Sequence, residues 1–397
     1  MKSAFFRAGH LPTLIACFFY FDASFMVWVL LGPMAVLIGH DLHLSAGQKG
    51  LMVAVPVLAG ALLRIVNGIL VGVWLPRRSG IVMQLLVIAG LLAAWLIGIR
   101  SFGELLLLGV VLGVAGASFA IALPMVSYWY PPEHQGKALG LAGAGNSGTV
   151  LAALFVPTLA LALGWSNVLG LAALPLILAL AVFVIFAKDS PRCPPPKSLR
   201  DYARVLGIGD AWWLMFFYGV TFGGFVGLSS FLPIYFHDQY RLAPVMAGYF
   251  TAACVFAGSF VRPFGGALAD RIGGARALTY IYAAVGAVLL VVSRGVLPAP
   301  VELGLFVVGM LALGMGNGAV FQLVPLRFSR EVGLLTGLVG MTGGVGGFIL
   351  AAGLGYARQF TGSYTLGFTV FALLALIAFA GIARLRWSPD PVLAGAS

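Results

Sequence analysis

The chain has 397 residues, of which 61% are hydrophobic and 9% are charged, and its mean hydropathy is +1.04. Soluble globular domains carry about 25% charged residues, so this composition excludes a water-soluble fold and predicts a protein that lies in a lipid bilayer. The net charge of +11 does not indicate a nucleic-acid partner, because in membrane proteins the positions of Lys and Arg matter more than their sum.

Twelve apolar stretches follow one another along the chain, each long enough for a helix that crosses the hydrocarbon core, which takes about 20 residues. Backbone groups in lipid must bond to one another, and stretches of this length without alternating polarity exclude a barrel of strands. We therefore predict an all-α polytopic membrane protein with twelve transmembrane helices. The predicted spans are 12–38, 48–73, 80–99, 103–129, 137–163, 167–187, 210–236, 245–269, 277–297, 302–327, 334–357 and 363–384.

The loops between the spans differ in charge. Twelve spans put both termini on one side, and most of the 23 lysines and arginines lie in the loops of that side. Because positive loops remain in the cytoplasm, we expect a multi-pass protein of the cytoplasmic (inner) membrane with both termini cytoplasmic. The apolar run after Lys2 and Arg7 is too long for the core of a signal peptide, so we expect a retained first helix.

The two halves of the sequence resemble each other. Residues 59–64 (AGALLR) match residues 257–262 (AGSFVR), and Gly68 then matches Gly266. The polar, basic and proline-containing segment 188–209 separates the repeats, so we predict six-helix bundles at 1–187 and 210–397 joined by a cytoplasmic linker. Parallel repeats of six helices are typical of secondary transporters that hold substrate near the membrane midplane.

Two arginines, Arg64 and Arg262, lie inside apolar spans at matching positions of the repeat. A charge at the bilayer centre costs at least ~2.5–3.5 kcal/mol, so such residues normally face a cavity or a partner. One interpretation is a structural hydrogen-bond clamp between helices. The other is that two guanidinium groups converge on one cavity, where they would bind a planar oxyanion bidentately.

A single carboxylate, Asp22, is predicted to lie deep in a span. Burial would raise its pKa and nearby arginines would lower it, so it is either a proton-coupling site or a counter-ion. Two cations and at most one anion leave a charge that a monovalent substrate would neutralise. This balance favours closure of the loaded protein over closure of the empty one.

Glycine-rich runs in spans 5 and 11 predict close helix packing. The predicted packing glycines are Gly143, Gly145, Gly148, Gly343, Gly344, Gly346 and Gly347. Residues 143–148 also fit the nucleotide-binding pattern G-x-G-x-x-G, but no strand precedes them, so we interpret that match as chance. Asn146, within the first run, is expected to bond either a neighbouring helix or the substrate.

Enzymatic chemistry is not indicated. The sequence has no metal-ligand cluster, nucleophile–base pair or cofactor motif, so we expect neither a metal nor a cofactor. It also has no G-x-x-x-x-G-K-[ST] loop for ATP, which implies that transport would use ion or substrate gradients.

Residues 266–276 (GALADRIGGAR) resemble the cytoplasmic loop signature of the major facilitator superfamily. Segments 60–64 and 258–263, together with the two glycine runs, resemble the nitrate/nitrite porter family within it. The resemblance implies the major facilitator fold of two pseudo-symmetric six-helix bundles, with Arg64 and Arg262 clamping nitrate or nitrite. It also implies a pocket lined by Phe119, Asn146, Tyr218 and Phe222.

The same resemblance implies a gating loop that contains Asp270, Arg271 and Arg276. The loop at 72–78 in the first half lacks the Asp-Arg pair, which affects the gating hydrogen bonds of that half more than the substrate.

We therefore predict a monomeric secondary transporter of nitrate, nitrite or both, working by alternating access through anion exchange or proton symport. Two alternatives remain open. One is a carrier of a small carboxylate such as formate or oxalate, and the other is a membrane receptor that binds an anion without moving it.

Overall fold

The computed structural model describes residue 5 and residues 7–193, 199–328 and 332–387. Within these residues twelve helical stretches are long and apolar enough to cross a membrane, and the described chain contains no β-strand. The predicted twelve spans are therefore confirmed. We number them 1 to 12 in chain order: Leu11–Asp41, Ala46–Trp74, Pro76–Ile97, Phe102–Ser127, Lys137–Leu163, Trp165–Phe186, Gly209–Tyr240, Pro244–Ile272, Gly274–Val292, Ala299–Val324, Leu334–Thr361 and Thr365–Ile382.

The outer surface of the molecule carries large apolar side chains. Leu86, Leu178, Tyr280 and Leu373, on spans 3, 6, 9 and 12, expose 50–69% of their surface. Exposed apolar area of this extent would be unstable in water and is the normal exterior of a helix in lipid. The protein is therefore a multi-pass membrane protein in a lipid bilayer.

Short connections join several consecutive spans. Gly98, Gly164 and Gly273 have φ values of 80°, 83° and 87° in three of these connections. The repeat pairs Gly273 with Leu75, which adopts φ 68° and ψ 153° between spans 2 and 3. A side chain rarely adopts this conformation, so the first half keeps the geometry of the connection at a cost in backbone strain.

Four spans are interrupted near their middle. Span 1 consists of helices Leu11–Trp28 and Leu31–Asp41, and span 4 of Phe102–Gly116 and Phe119–Ser127. Span 8 is divided into Pro244–Phe260 and Arg262–Ile272, and span 5 contains a 3₁₀ turn at Ala144–Ser147. Such irregular turns free backbone groups and are frequent at functional sites.

Spans 2 and 11 join the first six spans to the last six. A Cβ on Gly50 would lie 2.8 Å from the Cα atom of Gly355, and one on Gly344 would lie 2.5 Å from the Cβ atom of Ala61. The two helices therefore run in direct contact through successive turns because glycines face each other.

Further contacts between the two sets of spans lie toward the end of the molecule remote from the termini. A Cβ on Gly248 of span 8 would lie 2.6 Å from Pro157 of span 5. Lys49 of span 2 forms an ion pair of 2.9 Å with Asp238 of span 7. We call this remote end the outer end and the opposite one the terminal end.

The linker contains a short helix, Leu199–Leu206, at the terminal end. Residues 194–198 of the linker lie outside the described residues. One side of this helix is buried and the other is exposed: Tyr202 and Val205 are buried, whereas Ala203 and Arg204 are exposed. The division into bundles 1–187 and 210–397 with the linker 188–209 stays a prediction.

Candidate substrate-binding site

Arg64 lies in span 2 and is only 3% exposed. Its Nη1 donates a hydrogen bond to the carbonyl oxygen of Gly340 in span 11. Its Nε and Nη2 atoms are buried without a hydrogen-bond partner in the described chain. No carboxylate pairs with this cation among the described residues, so its charge has no partner of opposite sign there.

Three aromatic rings surround the Arg64 guanidinium. Its Cζ atom is 5.2 Å from the ring centroids of both Phe119 and Phe222 and 5.6 Å from that of Trp28. Ring faces attract a cation at these distances, and the attraction is strongest where water is excluded. The rings therefore hold the guanidinium in place without cancelling its charge.

Trp28 reaches the site because two glycines make room for its ring. A Cβ on Gly60 would lie 2.9 Å from Trp28 Nε1, and Gly116 also faces the ring. The indole N–H donates a hydrogen bond of 2.8 Å to the carbonyl oxygen of Pro56. That bond orients the ring and leaves only its apolar surface toward Arg64.

Arg262 begins the second helix of span 8 and is half-buried. Its Nη2 donates a hydrogen bond of 3.1 Å to the hydroxyl oxygen of Tyr218, and its Cζ is 5.9 Å from the ring centroid of Phe321. The interruption at Val261 lies directly before the arginine. Arg262, like Arg64, forms no ion pair with a carboxylate in the part of the chain that the structure describes.

Tyr218 and Phe222 connect the two arginines. Their rings are stacked, with centroids 5.1 Å apart and planes 5° from parallel. The Tyr218 hydroxyl binds Arg262, while Phe222 lies over Arg64. The structure thus brings Arg64, Arg262, Tyr218 and Phe222 together with Phe119.

Asn146 and Asp22 lie where span 5 crosses span 1. Asn146 is 2% exposed, and its Oδ1 has no partner in the described chain. Asp22 accepts a hydrogen bond of 2.6 Å from the Ser147 hydroxyl. The described chain shows no ion pair between Asp22 and either arginine, so it does not show the contact expected of a counter-ion. The proton-coupling role stays a prediction.

The glycines of span 11 shape the site. A Cβ on Gly343 would lie 2.7 Å from the ring of Tyr218 and 2.8 Å from that of Phe222. Gly344 faces span 2, Gly346 faces span 7, and Gly347 lies between Val226 of span 7 and Val57 of span 2. These glycines let the stacked pair and span 2 approach span 11 closely.

The glycines of span 5 behave unequally. Gly145 and Gly148 pack against span 1, where a Cβ on Gly145 would lie 2.8 Å from the Phe21 ring. The predicted packing role is wrong for Gly143, because no described atom lies within 4 Å of the position of a Cβ there. Helical spacing alone does not tell which side of a glycine run meets a neighbour.

The predicted gating loop lies at the terminal end, away from the arginines. Asp270, Arg271 and Arg276 are exposed, and their side chains form no ion pair with another described residue. In the matching first-half loop, the Arg77 backbone N–H donates to Asp189 at 2.9 Å. The gating role of the second-half loop stays a prediction.

Comparison with known proteins identifies the family. Residues 14–351 match the Major Facilitator Superfamily. The chain is 33% identical over 372 residues to the Nitrite extrusion protein of Bacillus subtilis, with 92% of each protein covered. It is 32% identical over 385 residues to the Probable nitrate/nitrite transporter NarK2 of Mycobacterium tuberculosis, with 93% of the chain and 95% of the relative covered. The chain belongs to the nitrate/nitrite porter family of this superfamily.

Another relative of this porter is the Probable nitrate/nitrite antiporter NarK1 of Thermus thermophilus, at 32% identity with 90% of the chain and 88% of the relative covered. Among solved structures, a bacterial homologue of the human lysosomal transporter Spinster has a TM-score of 0.70 at 18% identity and covers 95% of the porter and 98% of that chain. This likeness shows the fold, so the predicted major facilitator fold is confirmed. The family consists of transporters, and the porter is not an enzyme.

Several residues that contact the two arginines were not predicted from the sequence. Trp28, Phe321 and the Gly340 carbonyl contact the arginines. Aromatic residues and glycines are common in membrane spans, so their positions in the sequence do not indicate a contact with an arginine. The break that ends the first helix of span 1 at Trp28 is visible only in the structure, so this residue had no signal in the sequence either. A change of helix within a span is itself an indication of function.

A second buried carboxylate was also missed. Glu302 near the start of span 10 is fully buried, and its Oε1 accepts a hydrogen bond of 2.7 Å from the Tyr235 hydroxyl. The prediction had Asp22 as the single carboxylate deep in a span. Glu302 lies in the first turn of its helix, where a carboxylate in the sequence is normally interpreted as a surface residue.

Proposed function

We propose that the porter carries nitrate, nitrite or both across the cytoplasmic membrane as a secondary transporter, with Arg64 and Arg262 holding the anion. One observation carries the proposal: Arg64 is buried, has no counter-ion in the described chain and keeps two guanidinium nitrogens without a partner. A buried cation in this state needs an anion that can accept two parallel N–H bonds.

The shape of the site supports a flat anion. Phe222 and Phe119 lie against Arg64, and the stacked pair of Phe222 and Tyr218 extends from one arginine to the other. Nitrate and nitrite are planar and monovalent, so their edges can meet guanidinium groups while their faces lie along rings. The names of the relatives, which include nitrate and nitrite transporters, support the same cargo.

Charge in the loops supports the orientation. Most lysines and arginines lie in the loops on the side of the termini, and positive loops remain in the cytoplasm. We therefore infer that the terminal end faces the cytoplasm and that the outer end faces the opposite side of the inner membrane.

The contacts between the two sets of spans support alternating access. The Ser45 hydroxyl and the Gly47 backbone N–H both contact the amide oxygen of Gln359, at 3.0 and 2.8 Å, at the outer end. The Lys49–Asp238 ion pair lies at the same end. The outer end is thus held closed by polar bonds that can break and reform, while glycine-lined helices can slide past each other.

Two coupling modes fit these residues. Exchange needs only the two arginines, since one anion replaces another, and the relative named an antiporter supports it. Proton symport would use a carboxylate, for which Asp22 beside the Ser147 hydroxyl is the candidate. An Asp22→Asn variant with an unchanged pH dependence of uptake would remove the proton role.

Flux of isotopically labelled nitrate and nitrite into proteoliposomes tests the proposal. Internal anion without a pH gradient should stimulate uptake if the mode is exchange, and a pH gradient alone should do so if it is symport. Arg64→Gln and Arg262→Gln should each abolish uptake, and intact uptake in either variant would overturn the proposal. Competition by formate but not nitrate would indicate a carboxylate carrier, and binding without counterflow would indicate a receptor.

A further inference from the structure

The linker helix Leu199–Leu206 directs one aromatic side chain into the molecule. Tyr202 is 8% exposed, although it lies in a loop outside the spans. Val205, one turn away, is fully buried, while Arg204 on the other side of the helix is exposed. The helix is therefore seated against the spans by Tyr202 and Val205.

The Tyr202 hydroxyl lies in a slot between spans 2 and 11. A Cβ on Gly68 of span 2 would be 3.0 Å from this hydroxyl, and a Cβ on Gly337 of span 11 would be 3.8 Å from it. Gly68 follows Arg64 by one helical turn, and Gly337 precedes Gly340 by about one turn. Tyr202 thus lies next to the Arg64–Gly340 hydrogen bond on its terminal side.

The slot interrupts a regular contact between the two helices. From the outer end inward, span 2 meets span 11 at Gly50 with Gly355, at Ala61 with Gly344, and finally at Arg64 with Gly340. One turn further, a tyrosine from a third segment fills the space between them. Small residues on both helices would allow the same close contact there if the tyrosine were absent.

We propose that Tyr202 is a gating residue, which keeps spans 2 and 11 apart at the terminal end and must leave its slot before that end can close. The linker helix then sets the balance between the two orientations of the carrier. Burial raises the pKa of Tyr202, so the side chain acts as a neutral wedge and not as a charge. The inference rests on the alternating access of the proposed function, but not on the identity of the anion.

Distance measurements between spin labels test this directly without any substrate. The labels replace the exposed Val73 of span 2 and Tyr280 of span 9, in full-length protein whose native Cys17, Cys193 and Cys254 are changed to Ala. A short distance between the labels reports a closed terminal end, and a long distance reports an open one. Tyr202→Ala should raise the population with the short distance, relative to the population with the long one, about fivefold or more. About fivefold is the lower limit of typical coupling between two sites in a protein. Arg204→Ala, on the exposed side of the same helix, should leave the distances unchanged.

A matched pair of glycine variants separates the slot from the helix as a whole. Gly68→Ala crowds the Tyr202 hydroxyl at 3.0 Å, whereas Gly337→Ala brings only an ordinary contact at 3.8 Å. Gly68→Ala should change the distance distribution of the wild type, whereas the same substitution added to Tyr202→Ala should give the distances of Tyr202→Ala alone. Gly337→Ala should change nothing.

Wild-type distances in Tyr202→Ala would overturn the proposal. If Tyr202→Ala does not fold, the glycine variants still test the proposal: Gly68→Ala and Gly337→Ala with the same effect on the distances would overturn it. Failure of the wild type to move nitrate or nitrite would contradict the proposed function but not the gate, because the distance shift is measured without anion.

Discussion

Arg64 is a cation that the fold holds rigidly but does not neutralise. Gly340 accepts one of its hydrogen bonds and three rings surround it, while two nitrogens remain without partners in the described chain. In a structural clamp between helices, all the N–H donors of the guanidinium group would form hydrogen bonds to other groups of the protein. The residual donors are therefore the feature that distinguishes a binding site from a clamp.

Arg64→Lys tests whether the fork, and not only its charge, is needed. Lysine keeps the positive charge but loses the paired parallel donors. Loss of one charge-assisted hydrogen bond costs about 1.5–3 kcal/mol, which weakens nitrate binding about 10- to 150-fold. Isothermal titration would measure this, with Arg78→Lys at an exposed position as the control. Equal affinities of both variants would contradict bidentate binding.

Leu75 offers a second test at the scale of one residue. Its φ of 68° matches a position that is glycine in the second half, and its side chain is 42% exposed. Leu75→Gly should therefore stabilise the protein by about 1 kcal/mol through relief of backbone strain. Thermal unfolding in detergent would show a higher midpoint.

The control for Leu75 is Leu86→Gly, also at an exposed position but inside the helix of span 3. There glycine should destabilise by about 1 kcal/mol, because a helix interior favours residues with less backbone freedom. Destabilisation by both substitutions would show that Leu75 is not strained.

Spans 2 and 11 form the element on which the site depends. Glycines at their contact let Arg64 reach the backbone of the opposite helix at Gly340. A run of glycines in the sequence indicated close packing, and that expectation describes Gly344 and Gly346 well. It was wrong for Gly143, since the side of a helix that meets a neighbour is decided by the position of that neighbour.

Gly344→Ala should separate the two helices and weaken transport. Its new Cβ would lie 2.5 Å from the Ala61 Cβ and 3.1 Å from the Val57 carbonyl oxygen, and backbone at this distance cannot yield easily. Overpacking of this kind costs about 1–3 kcal/mol. Nitrate flux should fall several-fold, whereas Gly353→Ala on the same span, with open space around it, should transport normally. Equal flux in the two variants would show that this contact is not needed.

At the scale of the whole molecule, polar bonds join the two sets of spans at the outer end. Lys49 and Asp238 pair at 2.9 Å with side chains only 16% and 18% exposed, and the Tyr364 hydroxyl donates to the same carboxylate at 3.1 Å. Partial burial protects this pair from screening by salt. Under the proposed alternating access, this contact has to break when the outer end opens.

Lys49→Ala should favour opening of the outer end. Removal of a partly buried pair of this kind shifts the equilibrium by about 1 kcal/mol, or about fivefold. Spin-label distances across the outer end would detect the shift, with Arg100→Ala at an exposed position as the control. The exchanged pair Lys49→Asp with Asp238→Lys should restore the closed end, and failure of this rescue would argue against a latch formed by the ion pair.

The number of spans, their order and the repeat could be derived from the sequence. The free energy of moving a residue into lipid is mostly a property of that residue, so hydropathy summed along the chain locates helices without knowledge of their neighbours. The cost of a buried arginine is equally local, which is why Arg64 and Arg262 stand out within their apolar stretches.

The residues that surround those arginines could not be derived in the same way. Trp28, Phe321 and the Gly340 carbonyl are ordinary residues of apolar helices, and only the packing of spans 1, 2, 10 and 11 makes them neighbours of a cation. Their effect on the arginines depends on contacts between residues that are distant in sequence.

What the sequence determined by itself is a chain of twelve lipid-crossing helices in two related halves, with a cation inside each. What only the tertiary structure decided is how those cations are used: Arg64 without a counter-ion in the described chain, Arg262 on the hydroxyl of Tyr218, and Tyr202 between spans 2 and 11. The physical reason is that solvation free energy is set residue by residue, whereas shape and charge complementarity arise only between surfaces that folding brings into contact.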